Sequence, residues 1–265
     1  MTAEVLRKPS LKNRLNRERI RPNSFVTTIL SGGIDSTTLL YYILSKTTPD
    51  RVRVLSFFYG QKHNKELNFA SATCADLGVD HKVVDISNVQ SLLKSSLTTP
   101  EQSVPHGHYA EENMKQTVVP NRNAIMLSIA YGYAISNKSD YLVYGAHTGD
   151  HFIYPDCRPI FVKKLNDAFR KGNEGFGNTR IVAPFSHISK SEIVTVGLRL
   201  GVPFEKTWSC YEGQERPCLR CGTCIERTEA FLDNNTQDPL LTFEEWEKAK
   251  AIHSQAKESY DKSQS

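Results

Sequence analysis

Short apolar runs alternate with amphipathic stretches along most of this chain. Residues 25–30 (FVTTIL) form a β-branched run of strand length, and residues 37–46 carry Leu39, Leu40, Ile43 and Leu44 at helical spacing. The alternation continues. Residues 53–59 (RVLSFFY) predict a strand, residues 65–77 a helix stopped by Gly78, and residues 81–86 (HKVVDI) a third strand. Residues 123–135 predict a strongly apolar helix, residues 141–144 (YLVY) a strand ending at Gly145, and residues 161–170 a helix. A short strand at 180–183 and a helix at 190–200, ending at Gly201, complete the series; residues 243–256 predict a charged helix before a polar end at 259–265. Strands that alternate with helices of this length build βαβ units, so the fold class is α/β with a mostly parallel, doubly wound sheet. Residues 95–120 have no periodicity, and a loop that long is functional or disordered.

The chain has 265 residues, 39% of them hydrophobic and 23% charged, an ordinary balance for one large globular domain with an appendage. Apolar runs such as residues 124–130 fall far short of the ~20 residues a spanning helix needs, so no membrane segment is expected. The first 22 residues are basic with no apolar h-region, which points to the cytoplasm. They carry Arg7, Lys8, Lys12, Arg14, Arg17, Arg19 and Arg21 against Glu4 and Glu18, and read as a solvated, poorly ordered tail. A nucleic-acid contact is disfavoured: the net charge is only +4 and the arm has no aromatic residue for base stacking.

Candidate chemistry begins at Ser31-Gly32-Gly33-Ile34-Asp35-Ser36, between the first strand and the first helix. A helix N-terminus offers free N–H groups and positive potential to an anion, and glycines let the backbone approach it closely. Ser31, Ser36 and Thr37 add hydroxyls, and Asp35 beside phosphate makes sense as a Mg²⁺ ligand. The lysine of the Walker-type loop is absent, as is the dinucleotide G-x-G-x-x-G.

Four of the six cysteines, Cys210, Cys218, Cys221 and Cys224, crowd into one short segment. Four thiolates at this spacing suit a closed, structural Zn²⁺ site, with an iron–sulfur cluster as the alternative. Arg220 and Arg227 are placed to offset its negative charge. Cys74 reads as a core residue, with Cys157 left over.

S-G-G-I-D-S after the first strand resembles the signature of the ATP pyrophosphatase superfamily, whose members activate a carboxylate or carbonyl by adenylation. Further segments narrow this resemblance: Phe58-Tyr59-Gly60-Gln61-Lys62-His63, Val119-Pro120-Asn121-Arg122-Asn123, Gly145-Ala146-His147, Tyr154-Pro155-Asp156-Cys157-Arg158-Pro159, Lys190-Ser191-Glu192 and Thr207-Trp208-Ser209-Cys210. From about residue 25 to residue 231 the chain closely resembles the 7-cyano-7-deazaguanine synthases, the QueC family of queuosine biosynthesis. It departs from them at Leu219, where a glycine often stands, and at residues 149–153.

The resemblance implies a Rossmann-like, HUP-type sheet with a C-terminal zinc-binding segment. It implies an ATP-dependent ligase that joins ammonia to 7-carboxy-7-deazaguanine, first as an amide and then, after a second activation, as the nitrile; an amide-forming relative stays open as the alternative. ATP, Mg²⁺ and structural Zn²⁺ are the implied cofactors, and a homodimer the implied assembly. The organisation expected is a basic arm (1–24), the ATP pyrophosphatase domain (25–205), the zinc segment (206–232) and a C-terminal helix with its tail (233–265). The ATP-binding stretch would be Leu30, Ser31, Gly32, Gly33, Ile34, Asp35, Ser36, Thr37, Thr38, Leu39 and Leu40. Asp35, Arg122 and Lys190 are the catalytic candidates. Ligands of open α/β sheets bind beyond the strands' C-termini, which nominates His63, His147 and Asp150 for the substrate; Asp156 and Arg158 join them from a loop. Asp156 is the candidate reader of a guanine-like N–H edge. His81, His106, His108, His187 and His253 read as structural.

Overall fold

The computed structural model describes residues 9–61, 65–93, 95–98 and 103–264. Strands β1 (Val26–Ile29), β2 (Val52–Phe58), β3 (Asp80–Asp85), β4 (Tyr141–Val143) and β5 (Arg180–Val182) form one wholly parallel sheet in the order β3-β2-β1-β4-β5. Val26 pairs with Val52 on one side and Tyr141 on the other, which makes β1 central.

The period-2 rule sorts the core. Val52, Val54, Tyr141 and Val143 face helices α2 (Ile34–Leu44), α3 (Lys65–Leu77) and α7 (Lys190–Leu200). Leu55, Phe57, Leu142 and Tyr144 face α4 (Arg122–Ser136) and α6 (Pro159–Gly172) on the other side. Two helical layers over one parallel sheet confirm the doubly wound reading. Helices α8 (Gly222–Asp233) and α9 (Phe243–Gln264) extend the first layer through Phe231 and Trp246. Short helices α1 (Leu11–Leu15) and α5 (Asp150–Ile153) complete the described set. No helix among the described residues is long and apolar enough to cross a membrane.

Several expectations shift. Ile34, Asp35 and Ser36 are the first turn of α2 rather than part of the loop before it. Helix α9 continues to Gln264, since its Glu, Lys, Ala and Gln residues favour helix although they show little apolar period. The basic arm is docked from residue 9 onward. Ile20, 2% exposed, lies in the core with Leu11 and Leu15 packed against it, and Arg14 pairs with Glu192 at the start of α7. Arg7, Lys8 and Glu4 lie outside the described residues. Cys74 is buried as expected, and burial pushes its thiol up to about 12.

Candidate active site

After β3 at one edge the chain returns to place β4 beside β1. The C-termini of β1 and β4 therefore bound the crevice at the topological switch point. A cavity of about 290 Å³ opens there, lined by Leu30, Ser31, Gly33, Ile34, Asp35 and Ser36 from the loop and the first turn of α2, and by Gly145 and Ala146 after β4.

Local rules shape the loop. Gly32 has φ +85, and a Cβ there would meet the Glu66 carbonyl at 2.2 Å, so a side chain is excluded twice over. The Trp208 N–H donates to the Gly32 carbonyl at 2.9 Å, tying the loop to the cysteine segment. Ser36 Oγ accepts from the Ser31 N–H at 3.1 Å and lies 3.0 Å from Ser31 Oγ. The stretch nominated from sequence for ATP, residues 30–40, runs from this loop into α2. Thr37, Thr38, Leu39 and Leu40 are 0% exposed, beneath the helix, where Thr38 faces Gly197 of α7. One helical turn carries these positions past the ligand face and into the core.

Lys190 opens α7 behind a capping box made by Ser189 and Glu192. Its ammonium donates to Asp35 Oδ2 at 2.8 Å and stands 3.1 Å from Glu226 Oε2. His147, wholly buried, places Nε2 3.9 Å from Asp35 Oδ2 and 3.8 Å from Glu226 Oε1, while its Nδ1 accepts the Gly149 N–H at 3.0 Å. Burial alone would raise the Asp35 carboxyl, but Lys190 and His147 together hold it below the ordinary carboxylate range. Asp35 Oδ1 is buried with no hydrogen-bond partner. Sequence reasoning missed Glu226. It lies two residues past Cys224 and shares the cavity-lining side of α8 with Gly222 and Thr223.

A second polar group lines the same cavity. Arg122 starts α4 after Asn121, which takes the left-handed φ of 58. Its guanidinium lies 5.7 Å from the centroid of the Tyr59 ring. Burial disfavours its charge, yet Tyr59, Tyr154 and Tyr211 reverse this and raise its pKa. Glu66, on the α3 turn that presses Gly32, also lines the cavity. Burial pushes the Glu66 carboxyl up to about 7 against the pull of Arg122. Glu66 was also missed, because on the sequence it is one acid among several on an amphipathic helix.

The substrate nominees divide. His147 reaches the cavity region through Asp35 and Glu226. Asp156 does not line the cavity: its Oδ2 accepts the Asn123 N–H at 3.2 Å, at the start of α4. Arg158 does not either: it is exposed, precedes α6, and donates to the His151 carbonyl at 2.9 Å. His63 and the side chain of Asp150 lie outside the described residues.

The four Sγ atoms of Cys210, Cys218, Cys221 and Cys224 lie within 4.8 Å of one another, mostly buried. That donor set fits a tetrahedral thiophilic ion. Leu219 takes φ 63, the conformation glycine adopts most freely, so the turn keeps its shape despite the departure. Arg220 stands 3.5 Å from Glu212, but Arg227 does not serve the thiols. It makes a buried pair with Asp238, at 2.5 Å and 2.8 Å, and donates to the Phe204 carbonyl. The segment walls the cavity with Trp208, Ser209, Tyr211, Thr223 and Glu226.

A doubly wound parallel α/β sheet with a serine–glycine loop at its switch point and, beside it, four clustered thiols that could hold a metal ion defines the class. Within that class the chain belongs to the QueC family: the family profile of the queuosine biosynthesis protein QueC matches residues 26–235. It is 51% identical over 215 residues to the 7-cyano-7-deazaguanine synthase of Pseudoalteromonas atlantica, covering 81% of this chain and 97% of that protein. The 7-cyano-7-deazaguanine synthase of Archaeoglobus fulgidus is 51% identical over 225 residues, 85% of this chain and 93% of that one. That of Methanoregula boonei is 49% identical over 212 residues, 80% and 96% respectively.

Proposed function

We propose that this chain is a C–N bond-forming ligase that converts 7-carboxy-7-deazaguanine and ammonia to 7-cyano-7-deazaguanine at the expense of ATP. The observation that carries the reading is one cavity lined both by the loop at residues 31–36 with Lys190 and by Glu66, Arg122 and the rings of Tyr59, Tyr154 and Tyr211. Relatives 51% identical to this chain, matched over 97% and 93% of their own length, bear the name of this activity.

A carboxylate is a poor electrophile. In the first step its oxygen attacks the α-phosphorus of ATP and pyrophosphate leaves. Ammonia then attacks the acyl carbon, AMP leaves, and the amide forms. A second activation, at the amide oxygen, lets AMP depart as the C–N triple bond closes and the nitrogen loses its protons. Amides of the loop and the hydroxyls of Ser31 and Ser36 receive pyrophosphate, while Lys190 stabilises charge developing on the leaving phosphates. Asp35, whose Oδ1 is buried without a partner, and Glu226 would hold Mg²⁺, which neutralises phosphate charge when bound. Zn²⁺ on the four cysteines would fix the Trp208–Glu226 wall. Glu66 takes the role first given to Asp156 and accepts from the guanine-like N–H edge, and Arg122 pairs with the substrate carboxylate. Alignment of the two reactants supplies the rest of the barrier reduction. The working unit in this reading is a cytoplasmic homodimer.

The test incubates purified protein with ATP, Mg²⁺, ammonium and the acid, following product mass and pyrophosphate. The nitrile is expected. The amide as sole product with ATP in excess overturns the reading in favour of an amide-forming enzyme.

A further inference from the structure

Helix α9 lies beyond the residues that match the family profile, yet it reaches the cavity wall. The link runs through Tyr109, a cavity-lining residue on the long connection between β3 and α4. Its Cα would lie 3.4 Å from a Cβ on Gly222, which places it against the first turn of α8 and near Glu226. Its hydroxyl donates to Glu229 Oε2 at 2.6 Å. Glu229 in turn has Oε1 3.8 Å from Nε2 of His253, a buried residue of α9. The neighbouring ring, His108, is 6% exposed and stacks on Tyr109 on one side and on Tyr260 of α9 on the other, with both centroid distances 4.3 Å.

We infer that α9 is part of the binding machinery: Tyr260, through the His108 ring, and His253, through Glu229, are positioning residues that hold Tyr109 as a wall for the acid substrate. The inference rests on the function proposed above. Among the described residues the connection that carries Tyr109 has only two 3-10 stretches, Ser87–Leu92 and Glu112–Thr117, as helical structure, and Tyr109 lies in neither, so its own helical hydrogen bonds do not fix the ring. Stacked rings and a charge-assisted hydrogen bond supply orientation that the loop lacks. The loop at residues 31–36 is held by contacts of its own, to Trp208 and Glu66. Loss of the brace should therefore weaken the acid substrate rather than ATP.

The experiment compares full-length, zinc-loaded wild type with Tyr260→Ala and Tyr260→Phe. Tyr260→Ala is expected to raise KM for 7-carboxy-7-deazaguanine by about three- to tenfold, the range set by one lost aromatic pair. KM for ATP and zinc content should stay as in wild type, and Tyr260→Phe, which keeps the ring, should behave as wild type. Amide hydrogen exchange gives a readout independent of turnover: residues 103–118 should exchange faster in Tyr260→Ala and not in Tyr260→Phe. An unchanged KM with unchanged exchange overturns the brace, as does an equal loss in both variants. If wild type itself leaves the acid unconverted, the proposed function falls, and the exchange comparison alone decides whether α9 holds Tyr109.

Discussion

Lys190 donates to one carboxylate and stands beside a second, in a pocket that also holds a buried imidazole. Removing its charge leaves Asp35 and Glu226 without their shared cation and, in the proposed reaction, would leave the departing phosphates uncompensated. Lys190→Met is expected to cut kcat by roughly 10²–10³-fold, the size typical of losing one preorganised electrostatic contact. Pyrophosphate release measures it, with unchanged zinc content showing that the wall still stands. Glu66 makes a prediction of opposite character. Its carboxyl holds a proton to about 7 in the fold against an ordinary 4.5. The native state thus binds the extra proton across that window, so this group's contribution to stability declines as pH rises from about 4.5 to about 7. Glu66→Gln, neutral throughout, should flatten that decline in thermal midpoints taken across the window. In the role proposed for Glu66 the sign reverses in turnover, because only the ionised form would accept from two N–H groups of the substrate through both oxygens. Wild-type kcat/KM for the acid should climb through pH about 7, and Glu66→Gln should lose that limb while KM for ATP holds.

At the scale of elements, α8 does four jobs with one period. Cys224 faces the thiol cluster, Glu226 the cavity, Arg227 the buried Asp238, and Phe231 the core. The cysteine spacing was legible because four thiols within one short segment constrain each other locally. Arg227 was assigned wrongly for the matching reason: its partner is Asp238, past the end of the helix, and nothing between Cys210 and Cys224 signals it. The pair is 5% and 2% exposed at its side chains, so cutting it leaves a buried charge alone. Asp238→Ala should cost about 3–5 kcal/mol in urea unfolding, whereas Arg227→Met combined with Asp238→Leu should cost markedly less. Equal losses in the two proteins would mean that the pair's other hydrogen bonds, to Phe204 and Thr207, carry its weight.

Across the whole molecule, the parallel α/β sheet and the loop between its first strand and first helix followed from alternation and one hexapeptide, because each strand, turn and helix obeys a local rule. Contacts between segments far apart in the chain did not follow, and the basic arm is the clearest of them. Its charge count suggested a free tail, but two of its residues settle its place. Ile20 fills the core, and Arg14 holds Glu192, the acid of the capping box that aims Lys190. Burial of one branched side chain outweighs solvation of the exposed arginines around it, since those keep their water either way. Ile20→Ala should therefore cost about 2–4 kcal/mol, a fall of several degrees in thermal midpoint. Replacing the exposed Arg17, Arg19 and Arg21 together by glutamine should change stability by no more than about 0.5 kcal/mol per site. If the arginine triple variant instead lost stability while Ile20→Ala kept it, the arm would be held by charge and not by the core. Turnover sharpens the choice: Arg14→Ala, which leaves Ile20 in place but takes the guanidinium away from Glu192, should lower kcat while changing the melting point less than Ile20→Ala does, because it weakens the helix start from which Lys190 reaches Asp35.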